Sequence, residues 1–201
     1  FTDSFEIIMF LGFVFSGIFS YLWLAEVFKS EKAAFIGALF YVFAPYRFLL
    51  IYVRASISEH LAYTFLPLVL YSLTKMARQK TIFWLAISSF SIALLMLSQN
   101  LVALMSAPLL GGYVLLQAIF EKSKKVLIQS LIVVIWGFAI ASVTYLPSLL
   151  ERKFIRLDEI INIAYPGHFV TLKQLIRSPW GYGFDLPGTV NDQMSFQIGL
   201  A

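Results

Sequence analysis

The sequence contains no cysteine and only two histidines. It therefore has no disulfide framework, no thiolate metal site and no thiol chemistry. His60 and His168 have no other His or Cys at metal-ligand spacing, so no zinc site is proposed. Charge is scarce too: Asp, Glu, Lys and Arg make up 13%, against roughly 25% in a soluble domain. There is no P-loop, no nucleophile elbow and no DxD pair. Glycines 181, 183 and 188 are spaced wrongly for a dinucleotide fingerprint and lack a strand-to-helix context. The net charge of +4 comes without a basic patch interleaved with aromatics, so nucleic acid is not an expected partner.

What the chain does have is apolar surface. Hydrophobic residues account for 60% and phenylalanine appears 20 times in 201 residues. No water-soluble core of that length could hide so much, so the lipid bilayer is the expected solvent and partner. Apolar stretches near ~20 residues fall at 7–27, from 33 onward with an early interruption at Pro45, and at 55–76, 82–98, 101–120 and 126–146. The fold class expected is all-α, a polytopic transmembrane helical bundle with about six spans. Pro67 and Pro108 lie inside spans, where neighbouring helices re-satisfy the freed carbonyls. Gln99 and Asn100 alone join the fourth and fifth spans in a tight hairpin.

One set of loops carries eight basic residues (Lys29, Lys32, Lys75, Arg78, Lys80, Lys122, Lys124 and Lys125) against three acids (Glu26, Glu31 and Glu121). The positive-inside rule turns these loops to the cytoplasm. The segment 46–60, the Gln99–Asn100 turn and everything after Pro147 then face outward. The chain divides into a transmembrane region at 1–147 and a mostly irregular extracytoplasmic loop region at 148–201 that leads into a further span. Within the latter, "LLERKFIRLDEIINIA" suits an amphipathic helix on the membrane surface, and "SPWGYGFDLPG" reads as irregular. A first residue other than Met, and an apolar run opening at "SFQIGLA", suggest a fragment of a longer protein.

The ionisable residues concentrate in "YRFLLIYVRASISEHLAY", 46–63. Arg47 and Arg54, seven apart, would share one face of a continuous helix at the outer interface. Each has two readings: a snorkelling cation, or a guanidinium fork that captures a phosphate. Glu59 completes an S-x-x-E capping box with Ser56, yet an acid at membrane depth is also a functional candidate. Paired with Arg54, it would fix the guanidinium for a ligand. His60 suits packing. Gln99 and Asn100 suit the polar demands of a turn. Trp180, Tyr182 and Phe184 could stack on a sugar or line an aromatic belt, and Asp185 and Asp192 could be turn formers, metal ligands or acids.

Three blocks carry a resemblance. "ALFYVFAPYRFLLIYVRASISEHLAYTFLPLVLYSL" (38–73), "LLMLSQNLVAL" (94–104) and "HFVTLKQLIRSPWGYGFDLPGTVNDQMSFQIGL" (168–200) resemble the bacterial 6-pyruvoyl-tetrahydropterin synthase-related membrane domain family. The zinc histidines of the soluble synthase are absent. The family is similar to polytopic glycosyltransferases of the GT-C architecture, which take sugar from a polyprenyl-phosphate donor on the outer face. The resemblance implies a multi-pass protein of a bacterial plasma membrane, with Tyr46, Arg47 and Arg54 at the donor phosphate and Glu59 as the catalytic candidate. It puts Trp180, Tyr182, Asp185, Gln99 and Asn100 toward the acceptor. Gln99 stands where the family often has His, and the catalytic acid of GT-C enzymes usually precedes the position of Phe1. No metal ligand set is assigned, and a divalent cation is the one cofactor left open. The competing expectations are a transporter or flippase-like protein, favoured by a broken second span with charges at its end, and a non-catalytic structural membrane protein in which Arg54 and Glu59 only lock helices together.

Overall fold

The structure, a computed structural model, describes residues 2–52, 54–151, 154 and 170–177. Every regular element among them is helical: α1 (Thr2–Phe28), α2 (Glu31–Val42), α3 (Pro45–Tyr52), α4 (Ile57–Gln79), α5 (Ile82–Ser98), α6 (Asn100–Phe120), α7 (Lys125–Glu151) and the short α8 (Leu172–Ile176). Contacts divide the chain into two compact units, Phe1–Leu146 and Pro147–Ala201. In the second, α8 opens with a reciprocal capping box between Thr171 and Gln174. The stretch 155–169, most of the expected surface helix, and the stretch 178–201, with the expected irregular loop, lie outside the described residues.

Local chemistry sets the breaks. Pro45 opens α3 at the first helical position, where a missing N–H costs nothing. The Ser30 and Thr81 side chains accept from Ala33 N and Trp84 N to start α2 and α5. A single residue, Gln99, separates α5 from α6 and caps both. After α1, α4 and α6 the chain turns through Lys29, Lys80 and Lys122 in the left-handed region, at φ 54°, 55° and 47°. Glycine would be the usual residue there. Lysine also suits the negative end of the helix dipole.

Among the described residues, four stretches are long and apolar enough to cross a membrane: Asp3–Phe28, Glu31–Tyr52 (α2 and α3 together), Asn100–Phe120 and Lys125–Glu151. α5 is apolar but has 17 residues. α4 has 23 and carries Glu59, His60, Lys75 and Arg78 toward its ends, yet it is the centre of the unit. It packs along α1 on one side and α5 on another, and also meets α6 and α3. Its Ala62, Val69, Leu73 and Met76 form the core with Ile92, Leu95 and Val133. The outside of the bundle is the greasier surface. Phe10, Phe40 and Phe120 are 69%, 77% and 76% exposed, while Ser16, Ser20, Thr64, Thr74 and Ser88 are buried. That distribution suits a protein dissolved in lipid.

Lipid tails are as apolar as leucine, so helices associate through close packing and hydrogen bonds. α1 turns Met9, Gly12, Ser16 and Ser20 inward, a stripe at helical spacing. A Cβ on Gly12 would sit 2.6 Å from His60 Nε2, and the Thr64 hydroxyl donates to Gly12 O at 2.9 Å. Further along, Tyr113 joins three helices. Trp23 Nε1 and Gln117 Nε2 each donate to its hydroxyl at 2.9 Å. With both lone pairs taken, the Tyr113 proton goes to Thr74 Oγ1 at 2.6 Å, and the Thr74 proton goes to Leu70 O. Every member of this network is satisfied.

The same end of α1, α4 and α6 carries a charge cluster. Glu26 pairs with Lys29 at 2.7 Å, with Lys75 at 2.6 Å and with Arg78. Arg78 also reaches Glu121 at 3.8 Å.

Two substitutions test this packing by thermal unfolding of the detergent-solubilised protein. Tyr113→Phe removes the acceptor of two part-buried donors, Trp23 Nε1 and Gln117 Nε2, and should cost about 1–3 kcal/mol, whereas Tyr52→Phe, at an exposed position, should leave the midpoint unchanged. Gly12→Ala would gain up to ~1 kcal/mol in an ordinary helix. Here the clash with His60 should reverse the sign, for a net loss of about 1–3 kcal/mol.

Candidate functional site

The stretch 46–60 folds as a corner between α3 and α4. α3 stops at Tyr52, and Ala55 adopts φ 46°, a conformation that costs an L-residue roughly 1–2 kcal/mol. Arg54 N–H donates to Leu49 O and Ser56 N–H to Leu50 O, both at 3.1 Å, so the freed carbonyls stay paired. Non-glycine residues in this region persist where their surroundings over-determine them, often at functional sites.

The corner separates the two arginines. The expected shared face does not exist, because Arg54 lies past the end of the helix. Arg47 points into the bundle and is 3% exposed. It donates to Ser16 Oγ at 3.0 Å and to His60 O at 3.3 Å, and its guanidinium lies over Phe13 and Tyr41 at 5.6 and 5.9 Å. It is neither a snorkelling cation nor open to a ligand at the surface. No carboxylate pairs with it among the described residues, and its Nε has no hydrogen-bond partner. His60 is fully buried beside it, stacked on Phe13. Its Nε2–H donates to Met9 O at 3.0 Å, and its Nδ1 is unpartnered.

Arg54 turns outward, with 45% of its side chain exposed. It grips Glu59 with both arms: Nη2 to Oε1 at 2.9 Å and Nη1 to Oε2 at 3.1 Å. The Tyr46 hydroxyl completes the group. It lies 3.2 Å from Arg54 Nη1 and donates to Glu59 Oε2 at 3.4 Å. The capping box expected at 56–59 is not formed. Ser56 is the N-cap of α4, but its side chain makes no cap hydrogen bond. A two-pronged, charge-assisted pair is stronger than a carboxylate contact to one neutral N–H, and Arg54 takes the carboxylate.

Three candidate residues thus meet: Tyr46, Arg54 and Glu59. Arg47 is brought nearby in sequence but serves the interior. Gln99 and Asn100 make no hydrogen bond or ion pair to this group among the described residues; Gln99 is the junction of α5 and α6, and Asn100 begins α6. Trp180, Tyr182 and Asp185 lie outside the described residues. Among the described residues no group of three His, Cys, Asp or Glu could hold a metal.

The sequence reading missed Ser16, the acceptor for Arg47, and the Tyr113 network. A signal for Ser16 was present, since Gly12, Ser16 and Ser20 recur every four residues in a helix otherwise rich in Phe and Ile. Ser16→Val should strand Arg47 Nη2 at a fully buried position and cost about 1–3 kcal/mol. Adding Arg47→Met should recover most of that loss, because an apolar replacement of a buried ion with its partner is often neutral. A double-mutant cycle of unfolding midpoints measures the coupling.

No curated protein and no solved structure matches the chain. Residues 1–161 match the profile of the 6-pyruvoyl-tetrahydropterin synthase related domain, described as a membrane protein. Covering most of the chain, that match places the protein in the 6-pyruvoyl-tetrahydropterin synthase-related membrane domain family.

Proposed function

We propose that the protein is a GT-C-like glycosyltransferase that moves a sugar from a polyprenyl-phosphate donor at the outer face of a bacterial plasma membrane. On this reading α4 and α5 cross the bilayer with the four apolar stretches, making six spans, and the corner at 46–60 faces outward. The observation that carries the proposal is the half-exposed Arg54, held by Glu59 and touched by Tyr46 at the end of a membrane bundle. As a stability device the pair is weak, since an ion pair with an exposed partner is worth ~1 kcal/mol or less after solvent screening. As a preorganised anion site it makes sense. Glu59 fixes the plane of the guanidinium, its exposed edge can meet a phosphate oxygen, and the Tyr46 hydroxyl can join it by turning its one proton from Glu59 Oε2 to the phosphate. The cation then stabilises the charge that develops on the phosphate as the sugar departs. Glu59 is in this account a positioning residue first. It could serve as base toward an acceptor hydroxyl only once the phosphate has drawn Arg54 away from it.

A structural reading has its own support in the two-pronged bond, which joins the end of α3 to the start of α4. Charge exchange separates the two. Arg54→Ala and Glu59→Ala should each lower sugar transfer from a polyprenyl-phosphate donor by about 10²-fold or more, the scale seen when one charge-stabilising donor is lost. The swap of Arg54→Glu with Glu59→Arg restores a lock and should restore the melting midpoint, but not transfer. If both alanine variants accumulate normally and leave the cell's surface glycans unchanged, the catalytic reading fails.

A further inference from the structure

Pro67 has no N–H, so the Tyr63 carbonyl one turn before it has no partner within α4. The Tyr41 hydroxyl on α2 donates to that carbonyl instead, and the neighbouring Thr64 hydroxyl donates to Gly12 O on α1. This turn of α4 is therefore tied to two other helices. It lies four residues on from Glu59, and residues four apart share a helix face. The Tyr63 ring meets the Tyr46 ring edge to face, with centroids 5.8 Å apart at 75°. Tyr63 thus packs against one of the three residues that meet at the corner, which a place in an aromatic belt would not require.

The Tyr63 hydroxyl is uncommitted. The residue is half-buried, its hydroxyl makes no hydrogen bond among the described residues, and that oxygen is not one of the polar atoms sealed from solvent. It feels the charges of Glu59, Arg54 and Arg47. Arg54 has donors to spare beside it. A guanidinium carries five N–H donors. Arg54 spends two on Glu59 and one on Tyr46 Oη, which leaves Nε–H and the second Nη2 proton together on one edge. Such an edge can take two oxygens of one anion. The Tyr46 proton is held by Glu59 Oε2 and must turn to reach a ligand. The Tyr63 proton has no such partner to leave. We propose that Tyr63 is a ligand-contacting residue of the corner, its hydroxyl donating to the phosphate bound on the open edge of Arg54. The inference rests on the anion site proposed above and adds to it a donor that neither the Arg54–Glu59 pair nor the fold uses.

Titration of the full chain in mild detergent with undecaprenyl phosphate, read by native mass spectrometry, tests this. Tyr63→Phe keeps the ring contact and removes only the hydroxyl. It should weaken binding about tenfold, the low end for a hydrogen bond to a charged group. The melting midpoint of the ligand-free protein should stay unchanged, because the hydroxyl bonds nothing in the fold. Arg54→Ala should itself weaken binding. In that background Tyr63→Phe should change affinity by less than about twofold, because the two residues act on one phosphate. If Arg54→Ala weakens binding and Tyr63→Phe does not, the inference falls and the anion site stands. If the wild type binds no undecaprenyl phosphate, or neither change affects binding, both fall. A loss that persists undiminished in the Arg54→Ala background, or a lower ligand-free midpoint for Tyr63→Phe, would also overturn the inference.

Discussion

The structure depends on one constraint: its central helix is its least apolar one. α4 carries Glu59, His60, Thr64, Ser72, Thr74, Lys75 and Arg78, and lipid can solvate none of them. Each polar group must find a partner, as Ser72 does on its own helix at Val69 O and the others do on neighbouring segments, because an unsatisfied one in hydrocarbon costs several kcal/mol. That demand fixes what the neighbours carry. α1 supplies a glycine so that His60 fits, the Gly12 carbonyl for Thr64 and Glu26 for Lys75 and Arg78. α6 supplies Tyr113, which satisfies Thr74 and draws in Trp23. The partners in turn free the outer faces of α1, α6 and α7 to be almost wholly apolar.

The same constraint separates two arginines seven residues apart. Arg47 falls on the inward face of α3 and becomes part of the protein's internal solvent, bonded to Ser16 and the His60 carbonyl and sandwiched by rings. Arg54 falls beyond the turn at Ala55, where water reaches it, and its partner is ionic. One charge is held by dipoles and π-faces, the other by an opposite charge. Only the second keeps a face that a ligand can approach.

Much of this architecture was legible in the sequence. The apolar runs at 82–98 and 101–120 coincide with α5 and α6 almost to the residue, since a lipid-facing helix and its polar turn leave a sharp compositional edge. The Arg54–Glu59 pairing was also readable, because two opposite charges five apart at a helix start have few other partners. What could not be read is direction. Helical spacing put Arg47 and Arg54 on one face, and only the left-handed Ala55 removes Arg54 from that helix. The S-x-x-E pattern was locally sound, yet a local cap loses to a charged competitor that pattern alone does not weigh. Tyr113 was invisible for a related reason: a tyrosine among leucines gives no sign of the three hydrogen bonds that converge on it.

The two sides of the bundle are built differently, and an apolar slot of about 690 Å³ lies on one of them, between α5, α6 and α7. α1 and α4 approach closely enough that a Cβ at Gly12 would clash, and hydrogen bonds tie them along their length. α7 meets α5 closely at Gly137, where a Cβ would come within 2.7 Å of Ile92, and again where the Tyr145 hydroxyl donates to Met96 O at 3.0 Å. Toward α6 a gap remains, lined by Ala103, Ala107 and Gly111 together with Leu104, Leu110 and Val114. A soluble protein would close such a gap, because an apolar void in water forfeits packing and solvation together. In a bilayer the gap opens onto a solvent of hydrocarbon chains, so leaving it costs little.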